Sequence, residues 1–145
     1  MATKTLGRKL DTTETTVDNA LSCAAGGSWV SGSSIDCQAP GGAGTPDADE
    51  GVDHLALTNA GSTNGYDLDV IRQWSIDNST WPASGSGDVM TNFKSTTAGA
   101  DLSRSGAYPF LIRARYSRLQ YRNNNVTDAV TVTRKTLLHT GAYET

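Results

Sequence analysis

An all-β domain, a single β-sandwich of jelly-roll type, is what the sequence predicts, and three observations predict it. Apolar and polar residues alternate with a period of two through much of residues 52–138, the pattern of half-buried strands. Clusters of Gly, Pro, Asn, Asp and Ser separate the alternating runs at fairly regular spacing, as in sandwiches. Charged residues are 19% of the chain and Gly, Thr, Ser and Asn are abundant, which excludes the Leu, Glu, Lys and Ala periodicity of a helical bundle. At 145 residues the chain fits one domain with one core.

The elements follow in order. Residues 1–20 are Thr-rich and poor in apolar side chains, with Leu6 and Leu10 isolated among polar neighbours. They read as an extended N-terminal arm, either frayed or added to a neighbour's sheet edge. Residues 21–145 then form the sandwich domain. Its first segment runs from Cys23 to Cys37 about Val30. Folded as a hairpin, it sets the two thiols opposite each other for a disulfide; left unbonded, they are free or buried thiols. Residues 38–51 form a long Gly/Pro loop, with Asp47, Asp49, Glu50 and Asp53 crowded around Gly51. A twelve-residue calcium loop needs a far-end ligand that this segment lacks, so a solvated acidic loop is expected.

Residues 52–58 form a strand with Leu55 and Leu57 on one face. Residues 66–77 alternate most clearly, with Leu68, Val70, Trp74 and Ile76 opposite Asp67, Asp69, Gln73 and Ser75, and with Ile71 out of phase. Asp77-Asn78-Ser79 is a turn from which Thr80-Trp81 starts the return. Residues 89–95 form a short strand. Residues 108–122 read as one long basic strand whose phase switches near Ser117, which suggests a β-bulge. Asn123-Asn124-Asn125 is then a hairpin turn into a last strand over 126–138. Trp29, Trp74, Trp81 and Phe93 are the expected bulky core.

Charge is segregated although the net charge is only -3. Between Asp36 and Asp101 the only bases are Arg72 and Lys94; from Arg104 to Lys135 the only acid is Asp128. Basic strands can pair with acidic ones across one sheet, or oppositely charged faces can meet in neighbouring subunits. The second reading makes Arg113, Arg115, Arg118 and Arg122 interface residues, together with Leu6 and Leu10. Nucleic acid is not the expected partner of this acidic chain.

Catalysis is not expected. His54 and His139 are far apart and belong to no recognisable motif, and neither joins the cysteines in a zinc-type spacing. Asp67 and Asp69 share a strand face, which more often is a solvated face than a glycosidase pair. No cofactor or metal is implied. No apolar run reaches the 18 or so residues of a membrane span, and the first twenty residues have no apolar core of a signal peptide.

Two segments carry a resemblance. Gln73-Trp74-Ser75-Ile76-Asp77-Asn78-Ser79-Thr80-Trp81 resembles the "strand, Ser-x-Asp-Gly-x-x-Trp, strand" hairpin of discoidin-like (galactose-binding-like) β-sandwiches. Ala114-Arg115-Tyr116-Ser117-Arg118-Leu119-Gln120-Tyr121-Arg122-Asn123-Asn124 is similar to another hairpin of the same class, which recurs in compact form in small virion proteins of tailed bacteriophages. Asn78-Ser79 stands where Gly is usual; the resemblance covers roughly residues 66–140, and the N-terminal third of the chain matches nothing in the family. The resemblance implies a structural virion protein, a capsid decoration (cement) protein ahead of a tail or baseplate accessory. It would reside in the virion, form homo-oligomers and contact other virion proteins. The alternative is a carbohydrate-binding module for host-surface adhesion, with Trp29 and Trp81 as glycan contacts.

Overall fold

The computed structural model describes residues 6–10, 14–38, 48–59, 65–95 and 103–144; the side chains of 6–10, 59 and 140–144 are not described. Nine strands make up the regular structure of the described residues. They are β1 (Leu6–Leu10), β2 (Thr15–Cys23), β3 (Trp29–Asp36), β4 (Ala48–Asn59), β5 (Tyr66–Ser75), β6 (Asp88–Ser95), β7 (Ser103–Leu111), β8 (Tyr116–Asn123) and β9 (Val130–Glu144).

One sheet runs β1-β9-β4-β7, with β2 also on β9, and the other runs β3-β8-β5-β6. β1 and β2 share one edge of β9: β2 pairs with residues 130–136 and β1 with 139–144. Each sheet is therefore four rows wide. The pairing is nested. β2 pairs with β9, β3 with β8, β4 with β7 and β5 with β6, all antiparallel. Such a chain is one long hairpin rolled up, with β4·β9 and β5·β8 contacts closing the sheets. This is the eight-stranded double-sheet jelly roll, with β1 as an addition.

The core lies between the sheets in two clusters. The larger takes Leu55, Leu57, Val130 and Val132 from one sheet and Leu68, Val70, Leu119 and Tyr121 from the other. The smaller holds Cys37, Ala48 and Leu138, with Ile35, Trp74, Phe110 and Ile112 packed against it.

Several expectations are corrected. The Cys23–Cys37 segment is no hairpin within a sheet. After the Gly26-Gly27 turn, where φ is +108° and +79°, the chain crosses from β2 in one sheet to β3 in the other. Cys23 joins the larger cluster and Cys37 the smaller, both buried and unbonded. The expected long basic strand is two strands, and its phase switch marks a change of sheet between β7 and β8 rather than a bulge. The Asn123-Asn124-Asn125 turn likewise joins different sheets. There Asn123 Nδ2 donates to the Cys23 and Asp128 carbonyls, and Asn125 Nδ2 donates to Gly65 O. Val126 is exposed outside the last strand. A real bulge lies at Met90: Val70 faces Thr91 and Ile71 faces Val89, so Met90 turns toward the core and Val89 away from it. Of the segment read as an arm, residues 6–10 and 15–20 are strand. Of the Gly/Pro loop, 48–51 belong to β4, and 39–47 lie outside the described residues.

Candidate functional site

Strand alternation aims Ser117, Leu119, Tyr121 and Asn123 of β8 into the core, which leaves Tyr116, Arg118, Gln120 and Arg122 on the outer face of the four-stranded sheet. Each arginine there meets an acid or amide on a neighbouring strand. Arg122 donates to Asp69 Oδ2 from Nε at 3.1 Å and Nη2 at 2.7 Å, and its guanidinium lies 4.8 Å from the Trp29 ring centre. Asp69 also accepts from Asn92 at 2.6 Å and Asn124 at 2.9 Å. Partial burial pushes the Asp69 carboxyl up, but these hydrogen bonds outweigh it and hold the pKa below its ordinary value. Asp67 accepts from Asn92 and pairs with Lys94 at 3.5 Å. Arg118 Nε donates to Gln73 Oε1 at 2.9 Å, with its guanidinium 4.3 Å from the Trp81 ring centre. At the end of the strand, Arg115 grips both oxygens of Asp36 at 2.9–3.2 Å.

A loop, residues 76–87, lies across this face. Gln73 Nε2 shares its two protons among the carbonyls of Pro82, Ala83 and Ser86 at 2.8–3.2 Å. Gly85 N donates to Gln120 Oε1 at 2.9 Å, and Gln120 Nε2 donates to Ser31 Oγ. Gly85 has φ +81°, and a Cβ there would sit 2.6 Å from the Trp29 indole nitrogen. Both the conformation and the close approach require glycine. At the loop's start, Asp77 Oδ1 accepts from Ser79 N and Thr80 N, and Asn78 takes φ +60°. The turn expected at 77–79 is present, but the return strand begins only at Asp88, which leaves Trp81 within the loop and over Arg118.

The sequence-predicted site residues are therefore distributed as follows. Arg118 and Arg122 stand on one face with Trp29 and Trp81, which are half-buried on that outer face rather than in the core expected of them. Arg115 is at the end of that face. Arg113 lies by the β6–β7 edge, 3.6 Å from Asp88. Leu6 and Leu10 are in β1 on the other sheet, opposite Glu144 and His139. The segregated charge thus resolves into basic β8 beside Asp67 and Asp69 of β5, with Arg115 and Asp36 paired at its end.

A buried ionic group escaped the sequence reading. Asp53 of β4 accepts from Arg134 Nε at 2.9 Å and Thr136 Oγ1 at 2.5 Å, and its other oxygen accepts from Arg72. Arg72 also donates to Ser117 Oγ at 2.8 Å and stacks 3.7 Å from the Phe110 ring centre. Asp18 accepts from Tyr121 Oη at 2.9 Å and Ser33 N at 2.6 Å. All four ionic residues are buried, two of each sign. Parity was the available signal: Asp53 is in phase with Leu55 and Leu57, Arg72 with Val70 and Trp74, Arg134 with Val130 and Val132. Burial pushes the Asp53 carboxyl up, but Arg134 and Arg72 hold it below its usual value. Among the described residues no three His, Cys, Asp or Glu are placed to hold a metal, and no helix is long and apolar enough to cross a membrane.

No protein-family model matches the chain, and no curated protein matches it. Two solved structures are similar to it in part. One is the insecticidal delta-endotoxin Cry8Ea1 from Bacillus thuringiensis, at 13% identity and TM-score 0.42, covering 79% of this chain and 19% of that chain. The other is the structure of infectious bursal disease virus Gx strain, at 11% identity and TM-score 0.35, covering 99% of this chain and 40% of that chain. The chain spans less than half the length of either.

Proposed function

We propose that this chain is a structural virion protein of a tailed bacteriophage that works by contact, as a capsid decoration (cement) protein ahead of a tail or baseplate accessory, with no catalytic step. The carrying observation is the ribbon formed by β1 and the end of β9. β4 accompanies β9 only to Thr140, opposite Ala48, whereas β1 pairs with β9 as far as Glu144. The last four residues of β9 thus run about 13 Å further with β1 alone among the described residues. A two-stranded antiparallel ribbon is marginal in water and gains from a third strand or a covering surface. A neighbouring virion subunit supplies such a surface by strand addition. The jelly roll recurs in viral capsid domains, which agrees with the reading by analogy of fold. Immunogold electron microscopy of particles of the encoding phage tests it. Regular label on heads is expected, label on tails selects the accessory role, and unlabelled particles overturn the proposal.

A second reading has its own observation: Trp29 and Trp81 share one outer face with the hydrogen-bonding cluster of Asp69, Asn92 and Asn124. Such aromatic platforms beside polar groups suit a carbohydrate-binding module. Glycan-array binding that is lost in both Trp29→Ala and Trp81→Ala selects this reading, and an empty array removes it.

A further inference from the structure

β6 and β7 are the outer strands of the two sheets on the same side of the sandwich. Between them opens a cleft of about 470 Å³. Its wall is mixed, with Trp74, Met90, Tyr108 and Phe110 beside the Arg72 guanidinium. Its lips carry two of the four exposed large apolar side chains of the described residues, Val89 at 85% on β6 and Leu111 at 69% on β7. Beside them stand one acid and one base, Asp88 and Arg113, both solvent-exposed and loosely paired at 3.6 Å, with the second Asp88 oxygen accepting from Trp74 Nε1 at 3.1 Å.

We propose that this cleft is a twofold interface between two copies of the chain. A twofold contact is isologous, so one surface must carry both halves of every interaction. This surface does. It offers an apolar protrusion beside an aromatic-lined recess and a negative group beside a positive one. Rotation by half a turn sets the lips of one copy into the recess of the other. It also places each Arg113 against the other copy's Asp88. Clustered exposed apolar residues around a recess mark contact surfaces, unlike scattered ones. Pro109 lacks an N–H and sits in β7, which favours side-chain docking over strand addition at that point. The inference deepens the contact-making reading by naming a second copy as one partner.

The test is sedimentation velocity of the purified full chain at about 100 µM, where contacts of micromolar affinity are formed. A dimer is expected for the parent protein and a monomer for the Val89→Asp, Leu111→Asp double variant, with circular dichroism and melting temperature unchanged because both sites are exposed. Asp88→Arg and Arg113→Asp are each expected to be monomeric, and their equimolar mixture to recover a heterodimer, because each supplies the charge the other needs. A monomeric parent, a dimer that survives the double apolar substitution, or folded charge variants that stay monomeric when mixed overturns the proposal. No particle is present, so failure here is distinct from failure of the virion reading, which is judged on particles.

Discussion

The residue that most constrains this molecule is Asp53, fully buried between Arg72 and Arg134. Removing one member of a buried ionic group strands the others, at a cost of about 3–5 kcal/mol. Asp53→Ala is therefore expected to lower the melting temperature more than Thr136→Val, which removes one hydrogen bond to a charged acceptor, worth about 1.5–3 kcal/mol. The pH dependence follows from the depressed carboxyl. A folded pKa below the unfolded value of about 3.9 contributes stability that is complete above that value. It is lost as pH falls through the folded pKa. Melting temperature should hold down to about pH 5 and then drop, with a shallower drop in Asp53→Asn. The cysteines allow an independent check. Burial pushes the Cys23 thiol up to about 11 and the Cys37 thiol up to about 12. Neither should react with a thiol reagent at pH 8 in the native protein, and both should react after unfolding in denaturant. Native reactivity, or two thiols missing after unfolding, contradicts the two-cluster core.

At the scale of elements, what was legible is what period-two alternation encodes. The faces of β4, the early part of β5 and Val130–Val132 follow from parity alone. What was not legible is which sheet a strand joins. Two runs separated by a short turn look alike whether the chain doubles back beside itself or crosses to the facing sheet. That is why Cys23–Cys37 and Asn123–Asn125 resemble hairpins. The inward charges were hidden for another reason: an Arg or Asp in an apolar phase reads as a break in the pattern until its partners, from distant strands, are seen. Size alone predicts a core position for Trp29 and Trp81, whereas both sit half-buried on the outer face, beside the 76–87 loop and against Arg122 and Arg118. That loop yields a prediction of its own. Gln73→Ala removes the amide that ties three carbonyls, and Gly85→Ala meets both positive φ and the Trp29 ring. Each should cost about 1–3 kcal/mol and speed amide exchange at Gly85 and Ser86 more than in β8. Exchange that is equally fast across β8 contradicts a locally anchored loop.

Across the whole molecule, nested pairing brings both ends of the described chain to one edge of β9. β2 closes the jelly roll there, and β1 continues the same edge beyond it. The composition, poor in charge and rich in small polar residues, then serves a shell of strands with polar outer faces and an internal ionic layer. The sandwich is complete without β1, so deleting residues 1–10 should leave its cooperative melting intact while removing one strand of the ribbon. That separates folding from contact. For the proposed role as a phage virion protein, the most direct test of contact-making is rebinding of the purified chain to particles stripped of it, measured by co-sedimentation. The account predicts saturable rebinding by the full chain and at least tenfold weaker rebinding, a loss of about 1.4 kcal/mol, by the folded chain lacking residues 1–10. Equal rebinding by the two, or none by either, would contradict it.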